Sequence, residues 1–141
     1  MTKVLIGAGC FWGIEEYYRK LNGVIDTKVG YSGGKAVKPT YEEVCTGKTG
    51  HVEVVQIKFD ENSISFKQIL NHFWKCHDPT QLNRQGNDIG TQYRSVILFS
   101  NETQRKLAQD ILNEYQSLLF EAGYGRVVTL IEPLDNFYLA E

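Results

Sequence analysis

The sequence predicts an α+β domain, a mixed β-sheet with helices packed on it. Three observations carry this. Short apolar or alternating runs read as strands, and apolar residues at helical spacing read as helices. The two kinds follow one another without the strict strand–helix alternation of a parallel α/β sheet. The length of 141 residues suits a single domain, 1–141, with a sizeable core.

Val4, Leu5 and Ile6 lie in a run, Thr2 to Gly7, that reads as a buried strand. Ile14, Tyr17, Tyr18 and Leu21 then recur at helical spacing up to a stop at Asn22-Gly23. Val24 to Tyr31 forms a second strand, broken by Ser32-Gly33-Gly34. After a polar loop, Tyr41-Glu42-Glu43-Val44-Cys45 makes one helical turn and Thr46-Gly47-Lys48-Thr49-Gly50 a tight one. His51 to Phe59 alternates as a strand. His51, Glu53, Val55, Ile57 and Phe59 share one face; Val52, Val54, Gln56, Lys58 and Asp60 share the other, which turns polar at its end. Glu53 therefore sits on the more apolar face, where a carboxylate needs a partner or a proton. Ser65 caps a helix with Phe66, Ile69, Leu70, Phe73 and Trp74 as its apolar stripe, ending at His77-Asp78-Pro79. Thr80 to Tyr93 is a long polar loop, a type that is usually functional or disordered. Ser95 to Phe99 is a strand. Ser100 or Asn101 caps a long helix to about Phe120, with Leu107, Ile111, Tyr115, Leu118 and Leu119 inward. Val127 to Ile131 is a last strand, closed by Pro133.

Composition removes several classes of function. A formal charge of −2 gives no basic footprint for nucleic acid. No apolar run approaches the roughly 20 residues of a membrane span, so no membrane association is expected. The run after Met1-Thr2-Lys3 is too short for a signal segment. A cytoplasmic location follows as the default. Three cysteines at irregular spacing make no disulfide framework, and in a reducing compartment they are thiols.

The chemistry centres on Gly7-Ala8-Gly9-Cys10-Phe11-Trp12-Gly13. Cys10 sits where a central strand hands over to a helix, and the unpaired N–H groups of a helix start favour a thiolate over a thiol. Two large aromatic rings follow the sulfur. Three readings compete. A zinc site built on His72, Cys76 and His77 lacks paired short ligand spacings. A cysteine hydrolase or transferase needs a histidine base, for which His51 is the best candidate because its strand also carries Glu53. Thiol redox chemistry needs a thiolate, a proton donor for a departing oxygen and an aromatic pocket; Cys10, Glu53 and Phe11 with Trp12 fit those roles.

Three stretches decide between them. Gly9-Cys10-Phe11-Trp12-Gly13, Thr46-Gly47-Lys48-Thr49-Gly50-His51-Val52-Glu53-Val54-Val55 and the long run from His77-Asp78-Pro79-Thr80-Gln81 to Gln92-Tyr93-Arg94-Ser95 resemble the signatures of the peptide methionine sulfoxide reductase A family, in the family's order. The similarity runs from about residue 3 to the end of the chain. It implies a ferredoxin-like two-layer sandwich core. It further implies that Cys10 attacks the sulfoxide sulfur, Glu53 protonates its oxygen, Tyr41 and Tyr93 bind that oxygen, Asp88 helps order the site, and Phe11 with Trp12 holds the S-methyl group. The implied substrate is the S epimer of methionine sulfoxide, free or in proteins, with one enzyme serving each epimer. No metal or organic cofactor is implied. The implied reductant is an external thiol, thioredoxin, and the expected state is a monomer. The non-enzyme alternative is a redox-sensing module that binds oxidised methionine without turnover.

The chain departs from the family in its tail. Many members carry resolving cysteines near the C-terminus, but none follows Cys76 here. Phe137-Tyr138-Leu139-Ala140-Glu141 ends where the family usually continues with an Asp-Tyr-His-containing segment, and Leu139 stands where proline is common. The tail is thus expected to be naturally short or removed. The expectation that follows is direct reduction of a Cys10 sulfenic acid by an external thiol, with no obligatory disulfide to Cys45 or Cys76. The runner-up is a recycling cysteine in a missing C-terminal segment.

Overall fold

Val4, Leu5 and Ile6 are buried on both faces of their strand, which fixes β1 (Thr2–Gly7) in the middle of the sheet. A computed structural model describes residues 2–140. After β1 come α1 (Phe11–Arg19), β2 (Val24–Ser32), α2 (Tyr41–Cys45), β3 (Val52–Phe59) and α3 (Phe66–Lys75). The polar loop contains two-residue strands β4 (Arg84–Gln85) and β5 (Asp88–Ile89) and a 3-10 turn at Thr91–Tyr93. β6 (Val96–Phe99), α4 (Glu102–Glu121), β7 (Leu130–Pro133) and β8 (Tyr138–Leu139) complete the chain.

The main sheet runs β7-β6-β1-β3-β2-β8. β1 is antiparallel to β3 and β6, and β2 is antiparallel to β3 and β8. β6 and β7 are parallel, joined across α4, so the sheet is mixed. β3 lies between β1 and β2, and β1 lies between β3 and β6. The core is thus two interleaved split β-α-β units, the ferredoxin-like arrangement.

One face of the sheet carries the helices. Val4, Ile6, Val55, Ile57 and Phe59 pack there against Ile14, Tyr18, Ile69, Phe73 and Ile111. The other face holds Leu5, Val52, Val54, Val96 and Leu98, covered by Leu134 and Phe137. The polar end of β3 is as expected. The cover over its first half comes from the C-terminal segment, whose short strand β8 no periodicity in the sequence marks.

The last long strand is displaced from Val127–Ile131 to Leu130–Pro133. The Val127 N–H donates to Gln116 Oε1 and the Val128 N–H to Pro79 O, so neither is available to a ladder. Pro133 is tolerated because β7 is an edge strand. Among the described residues no helix is long and apolar enough to cross a membrane.

Candidate active site

Gly9 takes φ +99, a conformation that favours glycine, and a Cβ there would lie 2.8 Å from the Gln85 side chain. The chain can therefore turn sharply from β1 into α1 with the polar loop packed directly on the turn. Gln85 is in turn fixed to the end of α3: its Oε1 accepts from the Asp78 N–H at 3.0 Å and its amide donates to Asp78 O at 2.5 Å.

Cys10 is the N-cap of α1 and is exposed. α2, α3 and α4 are capped by the side chains of Thr40, Ser65 and Asn101, but Cys10 makes no side-chain cap bond. The first-turn N–H groups of α1 are thus not taken by the side chain at the cap. The Phe11 N–H donates to Glu53 Oε1 at 3.2 Å.

Glu53 lies on the helix-facing side of β3 and is 1% exposed. Burial pushes its carboxyl up to about 7; the Phe11 N–H opposes the rise and the Asp88 charge adds to it. Near neutral pH the group can hold or release a proton. The Tyr93 hydroxyl is also pushed up, first by burial and then by the Glu53 charge. Tyr41, half-exposed at the first turn of α2, has its hydroxyl raised by interaction with the Cys45 thiol one turn on and with Tyr93. Asp88 is exposed in β5, opposite Gln85 in register. The structure thus gathers Cys10, Glu53, Tyr41, Tyr93 and Asp88 at one end of the sheet.

A pocket of about 160 Å³ adjoins them, lined by Phe11, Trp12, Tyr31, Tyr41 and Ala140. Phe11 is buried while Trp12 is 57% exposed, and their rings meet edge-to-face at 5.1 Å. Adjacent helical residues normally diverge. Here both rings flank one space because they occupy the first turn, at the open end of the helix. The volume is well below the roughly 300–1,000 Å³ of a drug-sized site and suits a small apolar group. Sequence reasoning missed Tyr31, Gln85 and Ala140. Only the glycine at position 9 hinted that something packs closely against the turn.

The histidines are engaged elsewhere. His51 Nδ1 accepts from the Gly34 N–H at 3.1 Å and its Nε2 donates to Ala36 O at 2.6 Å. It pins the loop before α2, and neither ring nitrogen is free to act as a base on Cys10. His77 Nδ1 donates to Phe73 O at 2.7 Å and its Nε2 pairs with Ser95 Oγ at 2.8 Å, which meets Thr129 Oγ1 at 2.7 Å. Burial lowers His77 to about 4. The neighbouring Cys76 thiol donates to Phe73 O, and burial pushes it up to about 12.

Comparison with known proteins agrees along the whole chain. Residues 2–141 match the family model described as peptide methionine sulfoxide reductase. The chain is 52% identical over 141 residues to peptide methionine sulfoxide reductase MsrA of Saccharolobus solfataricus, covering 100% of this chain and 77% of that one. It superposes on methionine sulfoxide reductase A of Corynebacterium diphtheriae with a TM-score of 0.94 at 41% identity, over 99% of this chain and 69% of that one. It also resembles Mxr1 of Saccharomyces cerevisiae in its complex with Trx2, with a TM-score of 0.71 at 27% identity, over 97% of this chain and 78% of that one. With its fold, its motifs and its full length all matched, the chain belongs to the peptide methionine sulfoxide reductase family.

Proposed function

We propose that residues 1–141 act as a single reductase domain for methionine S-sulfoxide, free and in proteins. The observation that carries this is the buried Glu53 carboxyl, raised to about 7 and bonded to the N–H of the residue after Cys10. The sulfoxide's S-methyl group enters the pocket between Phe11 and Trp12. Its oxygen is received by Tyr41 and Tyr93. The Cys10 sulfur attacks the sulfoxide sulfur while Glu53 delivers a proton to the oxygen. Oxygen passes to Cys10, leaving a sulfenic acid and releasing the thioether, methionine. Burial keeps Glu53 in its protonated form, and the negative charge of Asp88 adds to that effect.

A thiol then condenses with the sulfenic acid, releasing water and forming a mixed disulfide; a second thiol reduces that to Cys10. Both steps use external thiols, and thioredoxin is the reductant that the family resemblance suggests. Neither a metal nor an organic cofactor is needed. We place the enzyme in the cytoplasm, acting as a monomer to repair oxidised proteins. The test is turnover of methionine S-sulfoxide with dithiothreitol as reductant. Reduction is expected for the wild type and none for Cys10→Ser; wild-type turnover in the serine variant would remove Cys10 from the reaction.

A further inference from the structure

A groove of about 560 Å³ crosses the face of the sheet opposite the helices. Strand register sets its floor. Lys28 of β2 lies opposite Gln56 of β3, and Lys3 of β1 lies opposite Lys58 of β3. Residues opposite in register share a face, so these side chains stand together on the side away from the helices. Lys38, Pro39, Phe137, Tyr138 and Leu139 complete its lining. Lys38 takes φ +47, in the left-handed region that disfavours ordinary side chains, on the loop that His51 pins.

Lys3, Lys28 and Lys38 are exposed, and among the described residues the ion pairs lie elsewhere, at Glu16 and Glu102. On the same face Asp26 lies opposite Lys58 and Glu132 opposite Leu98, but neither carboxylate lines the groove. The lysines therefore give a positive field on a chain whose formal charge is −2.

Edge strand β8 joins this groove to the candidate active site. Phe137 and Leu139 line the groove, and the next residue, Ala140, lines the pocket with Phe11 and Trp12. From β8 to β1 the groove crosses three strand spacings, about 14 Å. That is the reach of about four extended residues. A polypeptide with a side chain in the pocket would have to pass round the edge of β8 to reach the groove.

We infer that this groove binds the acidic flank of an oxidised polypeptide, selecting methionine sulfoxides with Asp or Glu about three to six residues away. The inference rests on the reductase reading above and names its polypeptide substrate. Phe137 and Leu139 supply an apolar wall for the side chains between the acids.

The test compares two peptides of equal length, each with one methionine S-sulfoxide, flanked either by Asp or by Lys. Turnover uses dithiothreitol, with free methionine S-sulfoxide as reference. At low salt kcat/KM for the acidic peptide is expected to exceed that for the basic one on the order of tenfold, with the preference shrinking at about 0.5 M sodium chloride. Charge reversal by Lys28→Glu with Lys38→Glu is expected to invert the preference, with turnover of the free amino acid unchanged. Equal kcat/KM for the two peptides overturns the inference and leaves the reductase reading standing. Fluorescence anisotropy of the same peptides on Cys10→Ser reads the groove without chemistry; the acidic peptide is expected to bind more tightly, and equal affinity overturns the inference. If charge reversal slows only thioredoxin-driven turnover and leaves peptide preference intact, the groove holds the reductant, and the inference also falls.

Discussion

Glu53 is a carboxyl group on the buried face of a strand, and its environment sets its chemistry. A surface glutamate is a poor acid at neutral pH because it has already lost its proton. With its carboxyl raised to about 7, Glu53 keeps one to give. Glu53→Gln preserves a hydrogen-bonding amide but removes the proton donor. The single-turnover rate should drop on the order of 10²–10⁴-fold. In the wild type that rate should also decline as pH rises through about 7, where Glu53 ionises, and the glutamine variant should lack this decline. Stopped-flow reduction of one equivalent of sulfoxide across pH 6–9 measures both; an unchanged rate removes Glu53 from the chemistry. Strand parity alone put Glu53 on the apolar side. Its partner was hidden, because Phe11 lies 42 residues away in the chain and meets it only through the β1–β3 pairing.

At the scale of the element, α1 differs from the other three helices in its cap. Thr40, Ser65 and Asn101 satisfy their helix starts with side-chain oxygens, whereas the Cys10 side chain makes no cap bond. A serine hydroxyl at that position is a better cap than a thiol. Cys10→Ser should therefore abolish reduction yet stabilise the protein by about 0.5–1 kcal/mol, read as a higher urea midpoint. A lower midpoint would show that the thiol itself contributes to packing. Gly9→Ala should act in the opposite sense, because φ +99 and the Gln85 contact leave no room for a methyl group. A loss of about 1–3 kcal/mol is expected, with slower turnover as the β4–β5 hairpin shifts. Equal stability to wild type would contradict the crowding. The helices and the main strands were legible because their apolar periodicity is strong. The hairpin was not, since two-residue strands carry no period and its turn reads Gly86-Asn87 rather than the common Asn-Gly.

For the molecule as a whole, two buried groups bend the pH dependence of stability in opposite directions. His77 is held at about 4 against an ordinary 6.5, so the unfolded chain binds more protons between those values. Its contribution is full above about 6.5 and is lost as pH falls toward 4. Glu53 is raised to about 7 from 4.5, so the folded state binds more protons in that window. Its contribution is full below about 4.5 and is lost as pH rises through 7. Each is worth up to roughly 3 kcal/mol, at 1.36 kcal/mol per unit. The two slopes oppose each other between about 4.5 and 6.5. Urea unfolding should give Glu53→Gln a stability that keeps rising across that range, while the wild type stays nearly level; parallel curves would show that Glu53 does not titrate with folding. The sheet order itself was beyond periodicity, which marks strands but not their neighbours. It came instead with the resemblance to a family. The cover on the second face, from Leu134 and Phe137, escaped both readings, because a two-residue strand and isolated apolar side chains leave no pattern.

The pocket wall has a consequence for how the protein is made. Cys10 leaves the ribosome about 130 residues before Ala140, the last residue that lines its pocket. At the roughly 5–20 residues per second of synthesis, that interval lasts about 7–26 s. During it the pocket beside the nascent thiol lacks the wall that Ala140 supplies, and for about a third of it the thiol is also without Glu53. The nucleophile is thus made first, and the last residue to line the neighbouring pocket follows long after it.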